Sequence, residues 1–105
     1  MLKNFSDDQF ETEVKKEDVS VIQFSAAWCG PCQSLKPIMD KLSDENKDKA
    51  NFYYGDIEDG AINTGSAMGI RGVPSTIIFK KGIEIDRLVG NPGEAKVKEF
   101  IEKNI

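Results

Sequence analysis

The chain has 105 residues, 39% of them apolar and 30% charged, with a net charge of -4 and no histidine. That is enough for one domain over 1–105 with its own hydrophobic core, and the composition is that of an ordered globular protein rather than a disordered one. The acidic balance without a long basic run excludes a phosphate-neutralising surface for nucleic acid and disfavours anionic membranes.

Residues 2–5 read as a short first strand. A helix start follows, because Ser6 and Gln9 fit a capping box, and Phe5 and Phe10 occupy the two positions of a hydrophobic staple. Phe10 and Val14 give this helix its buried side, and the charged run 15–18 is its solvated end. Acidic residues enter the chain at once, at Asp7 and Asp8, so no signal-peptide core is expected, and no later apolar run reaches membrane-spanning length. A cytoplasmic, monomeric protein is the expectation.

Residues 19–25, VSVIQFS, carry apolar side chains at 19, 21, 22 and 24, on both faces of an extended chain, which predicts a strand covered on both faces. Gln23 within it is either a buried polar group in need of partners or a side chain at a wet edge of the sheet. Directly after come Trp28-Cys29-Gly30-Pro31-Cys32, which hold both cysteines of the chain. Leu35, Ile38, Met39 and Leu42 then mark one face of an amphipathic helix, so the sulfurs sit at a helix mouth. Unpaired N–H groups and the positive end of the helix dipole favour a thiolate there. Pro31 suits the first turn, where its missing N–H costs nothing. The three-residue spacing of Cys29 and Cys32 brings them to one side of the helix, where a disulfide can form.

Two cysteines in a reducing compartment point to catalysis rather than to a structural staple. A zinc site needs about four ligands and the chain has two cysteines and no histidine, so no metal is expected. The helix is predicted to run to about residue 46, kinked at Pro37.

Residues 50–56 read as the next strand. Residues 59–68 allow a short helix weakened by Gly60 and Gly65. The Gly- and Pro-punctuated stretch 69–75 leads into a strand at 76–79, and Lys81-Gly82 predicts a tight turn to an antiparallel partner at 83–89. Asn91, Pro92 and Glu94 are read as N-cap, first residue and capping partner of a last helix that buries Val97, Phe100 and Ile101. The order predicts an α/β fold: a mixed central sheet flanked by helices on both faces.

With that order and the motif Trp28-Cys29-Gly30-Pro31-Cys32, the chain resembles the thioredoxin family over essentially its full length. Gly69-Ile70-Arg71-Gly72-Val73-Pro74-Ser75 is similar to that family's second active-site loop, and Pro37, Gly82 and Gly90 fall at its structural positions. The resemblance implies the thioredoxin fold and a thiol–disulfide oxidoreductase that needs no cofactor. It implies protein disulfides as substrates, re-reduction by a thioredoxin reductase, and a cis bond between Val73 and Pro74. From the residues alone a trans proline opening a strand would be favoured, by about 0.5–1 kcal/mol.

Cys29, nearer the helix mouth, is the candidate nucleophile and Cys32 the resolving residue, with Gly30 and Pro31 modulating the pair. Trp28, Gly72, Val73, Pro74 and Gly90 form the expected docking surface by analogy with the family. For Trp28, packing over the helix start is the other reading. An oxidant or isomerase, and an interaction module with an incidental dithiol, are the competing functions.

The chain departs from the family at Gln23, where thioredoxins usually carry a buried Asp, and at Ser25, where an aromatic is usual. The Lys that often accompanies the Asp is absent. An amide cannot accept a proton at neutral pH. Gln23 is therefore expected to order a water or hydrogen-bond toward Cys32 without titrating, and the missing carboxylate should lower the pKa of Cys29.

Overall fold

The computed structural model describes residues 1–105. Its organising strand is β2 (Ser20–Ser25), every residue of which is buried, as expected of a strand with apolar side chains on both faces. Two parallel neighbours lie on one side, β3 (Asn51–Asp56) and then β1 (Lys3–Asn4). On the other side β4 (Ser75–Lys80) pairs antiparallel with β2, and β5 (Ile83–Val89) antiparallel with β4, giving the order β1-β3-β2-β4-β5. The parallel pairs need crossovers, which the helical segments supply.

Alternation along the strands divides the core in two. On one face Val21, Phe52 and Ile78 pack with Leu35, Met39 and Leu42 of α2 (Gly30–Glu45) and with Val97, Phe100 and Ile101 of α4 (Glu94–Asn104). On the other, Ile22, Phe24, Ile77 and Phe79 pack with Phe5, Val14 and Ala61. A slip of one residue would exchange the two sets, so the register is strongly specified.

The first helix is shorter than its apolar pattern predicts. It spans Asp8–Thr12 (α1), Glu13 leaves helical geometry at φ -129, and Val14 enters the core from a 3-10 turn, Val14–Lys16. Half of the expected capping box forms: Ser6 N donates to Gln9 Oε1 at 2.8 Å, while Ser6 Oγ turns to Asp8 Oδ1. A segment this short draws its stability from packing rather than propensity.

Asp7 caps a different helix. Its carboxylate accepts from Thr64 N at 2.8 Å, Thr64 Oγ1 at 2.7 Å and Asn63 N at 3.0 Å, closing the first turn of α3 (Ile62–Ala67), which has no side-chain cap of its own. Burial works against the charge on Asp7, but these three donors outweigh it and hold the carboxyl below its ordinary pKa.

Lys81 (φ 50) and Gly82 (φ 79) both take left-handed backbone, the signature of the tight hairpin turn. A Cβ on Gly82 would lie 2.7 Å from Lys15 Cγ, so glycine is required twice over. Pro37 lies inside α2 without dividing it.

The last helix corrects the sequence expectation at its start. Asn91 Oδ1 accepts from Gly93 N at 3.1 Å, a local turn rather than a cap. Gly93, at φ 104, is the N-cap, and the helix begins at Glu94, leaving Pro92 outside it. The residues expected in the core, Val97, Phe100 and Ile101, are there.

Candidate active site

The buried strand β2 ends at Ser25, and the chain turns through residues 26–29 into α2. Cys29 is the N-cap, in extended backbone (φ -90, ψ 109), and its Sγ accepts from Cys32 N at 3.2 Å. A sulfur thus occupies the place where a Ser or Asp oxygen would satisfy an unpaired helix N–H. Gly30 and Pro31 form the start of the first turn, where the proline leaves no donor wanting.

Cys29 and Cys32 form a disulfide, with Cα atoms 5.2 Å apart. Cys29 is 5% exposed and Cys32 is fully buried. Only one sulfur of the pair can therefore be approached from solvent. Beside it, a Cβ placed on Gly30 would have open space around it.

The 69–75 loop meets the disulfide from the other side. The Val73–Pro74 bond is cis, and the Val73 carbonyl oxygen lies 3.6 Å from Cys29 Sγ. Two hydrogen bonds fix the loop: Ser75 Oγ donates to Gly72 O at 2.6 Å, and Gly90 N donates to Pro74 O at 2.7 Å. Gly90 has φ 90, where a side chain would be strained.

Of the residues expected to form a docking surface, Gly72 is exposed and Val73 and Gly90 are half-buried, with Val73 against Cys29 and Gly90 bonded to Pro74. Pro74 is buried and shapes the loop from beneath. Trp28 is 69% exposed, so it does not pack over the helix start. Its indole is pinned at the rim, Nε1 donating to Glu58 Oε1 at 2.8 Å.

Sequence reasoning missed Val89, 63% exposed, whose Cγ1 lies 3.9 Å from where a Gly72 Cβ would be. As the last residue of an edge strand it carries no periodic signal; its position beside Gly90 was the only clue.

Gln23 is fully buried, which removes the wet-edge reading. Its Nε2 donates to Ser25 Oγ at 2.9 Å and to the backbone carbonyl of Cys32 at 3.1 Å. It therefore touches the resolving position from below, through the backbone. No group of three His, Cys, Asp or Glu side chains is arranged to hold a metal, and no helix is long and apolar enough to cross a membrane.

Chemically, the arrangement is a disulfide with one reachable sulfur, a backbone N–H aimed at that sulfur, and an apolar rim. It can exchange bonds with an incoming sulfur at Cys29 while Cys32 waits behind it.

The thioredoxin family model matches residues 1–103. Thioredoxin M4 from the chloroplast of Arabidopsis thaliana is 40% identical over 103 residues, covering 97% of this chain and 51% of that protein. The chain thus spans about half of that relative. The thioredoxin of Rickettsia prowazekii is 36% identical and covers both chains completely. Among solved structures, a thioredoxin of Malassezia sympodialis superposes with a TM-score of 0.88 at 34% identity, over 99% of this chain and 90% of its own.

Proposed function

The chain belongs to the thioredoxin family and is a thiol–disulfide oxidoreductase, and from that premise we propose that it reduces disulfides of protein substrates and is returned to the dithiol by a thioredoxin reductase. The observation that carries this reading is the unequal access of the two cysteines: Cys29 keeps 5% of its surface open to solvent and Cys32 none. Cys29, as thiolate, attacks a substrate disulfide, and a mixed disulfide forms as the first substrate sulfur leaves. Cys32 then attacks Cys29 Sγ, the second substrate thiolate departs, and the internal disulfide remains.

The backbone supports the first step. The Cys32 N–H that meets Cys29 Sγ at 3.2 Å, together with the dipole of the sixteen-residue α2, stabilises negative charge on that sulfur. An extended substrate segment lies along Val73, with Trp28 and Val89 covering its sides. Such a donor works in the cytoplasm, as a monomer, where the thiol pool keeps it reduced.

The test is disulfide opening in an unrelated protein by catalytic amounts of this chain, with a thioredoxin reductase and its electron donor. The expected result is a rate about a hundredfold or more above the donor system alone. No acceleration would overturn the proposal.

A further inference from the structure

Two buried side-chain atoms have no hydrogen-bond partner within the protein, Gln23 Oε1 and Thr76 Oγ1. They are neighbours. Gln23 on β2 and Thr76 on β4 stand directly opposite in the antiparallel register, so both side chains leave the sheet on one face. That face is the one α2 covers, since Gln23 Nε2 reaches the Cys32 carbonyl at 3.1 Å. The amide cannot be turned over, because Oε1 in place of Nε2 would set two acceptor oxygens against each other at Cys32. Oε1 is thereby fixed as a free acceptor beside the helix that carries Cys32, across the sheet from a free hydroxyl. Buried polar atoms are almost always partnered, and these two share one place.

We propose that Gln23 and Thr76 hold a single water molecule beneath Cys32, and that this water relays the proton the Cys32 thiol gives up when the mixed disulfide is resolved. This rests on the function proposed above. A buried water needs two to four polar partners; it donates to Gln23 Oε1, bonds Thr76 Oγ1, and keeps a lone pair for the Cys32 S–H. Neither Gln nor Thr titrates near neutral pH, so the proton is passed to solvent rather than stored.

The step balances. The Cys32 proton moves to the water, which releases one to solvent. The thiolate forms a bond to Cys29 Sγ, the bond from Cys29 to the substrate sulfur breaks, and its electron pair leaves with the substrate thiolate, which takes up a proton. The two cysteines are oxidised and the substrate is reduced.

Besides the cysteines, the ionisable side chains of α2 and β3 are Lys36, Asp40, Lys41, Asp44, Glu45, Tyr53, Tyr54 and Asp56, and β4 ends at Lys80. Asp56 Oδ1 accepts from Glu58 N, and Lys36 is paired with Asp40. Tyr54, Asp56 and Lys36 are all half-buried, open in part to solvent, whereas Gln23, Ser25 and Thr76 are buried. The polar partners closed in with Cys32 are therefore non-titrating ones.

The experiment joins two measurements on the full chain. Water-to-protein NOE spectroscopy should find a long-lived water at the Gln23 amide and the Thr76 methyl. Single-turnover kinetics with a disulfide substrate should show that Thr76→Val loses this signal and resolves the mixed disulfide about tenfold more slowly relative to its capture. The deficit should shrink as pH rises and hydroxide substitutes, Thr76→Ser should keep the water signal at the Gln23 amide and the parental resolution rate, and Gln23→Leu should repeat the slowing. No bound water in the parent protein, or parental resolution rates in both Thr76→Val and Gln23→Leu, would overturn the proposal. Disulfide opening by the parent protein is read separately, so failure here leaves the proposed function standing.

Discussion

Replacing Cys29 with Ser is expected to remove disulfide reduction, a fall of at least about a thousandfold to the background of the electron donor. Replacing Cys32 with Ser is expected to do something different: substrate remains covalently attached to Cys29. Both follow from access and order. The first attack must come from a sulfur that solvent-borne substrate can reach, and Cys32, fully buried, cannot be it. The second attack needs only a neighbour already within bonding distance, which Cys32 is. Gel analysis without reductant distinguishes the variants, with a substrate adduct in Cys32→Ser and none in Cys29→Ser. An adduct in Cys29→Ser alone would reverse the assigned roles, and unchanged activity in it would reduce the dithiol to an ornament of an interaction module.

The second large effect is expected from Gln23→Asp, which places a carboxylate at a fully buried position. Ser25 Oγ can turn to donate to it, but the Cys32 carbonyl that now accepts from the amide offers only an acceptor. Neutral hydroxyl donors offset only part of the cost of an ionised Asp closed off from water, so burial raises its pKa above the ordinary value of about 4. The folded protein then binds a proton that the unfolded chain has lost. Stability is near that of an uncharged variant at about pH 4, falls as pH rises toward the elevated folded pKa, and is flat above it, with a total loss of about 3 kcal/mol. Gln23→Asn shortens the side chain equally without the charge and isolates this effect. The same negative charge should raise the pKa of the Cys29 thiol. Denaturant unfolding against pH and thiolate absorbance check both parts, and identical pH profiles for the Asp and Asn variants would contradict them.

How far the sequence could be read differs by element. The central strand, α2 and the β4–β5 hairpin were legible because their signals are local: an apolar run, a helical stripe beginning at Leu35, and Lys81-Gly82 between two strands. The dithiol was legible for the same reason. What escaped depends on contacts distant in sequence. Asp7 looks like part of its own helix start, yet it caps α3 through Asn63 and Thr64. Asn91 has the chemistry of an N-cap, but its side chain bonds Gly93 N and the helix waits for Glu94. Val89 joins the rim only because β5 pairs with β4 and sets it beside Gly72. Gln23 was legible as a polar residue in a buried strand, whereas its relation to Thr76 requires the strand register, which no single stretch of sequence contains.

In the reduced protein Cys29 Sγ, at the mouth of α2, should be a stabilised anion. Following thiolate absorbance while titrating the reduced chain tests it most directly. A first ionisation at least one unit below the value of about 8.5 for free cysteine is expected, absent from Cys29→Ser and kept in Cys32→Ser. A first ionisation at or above 8.5, or one that persists without Cys29, would contradict it.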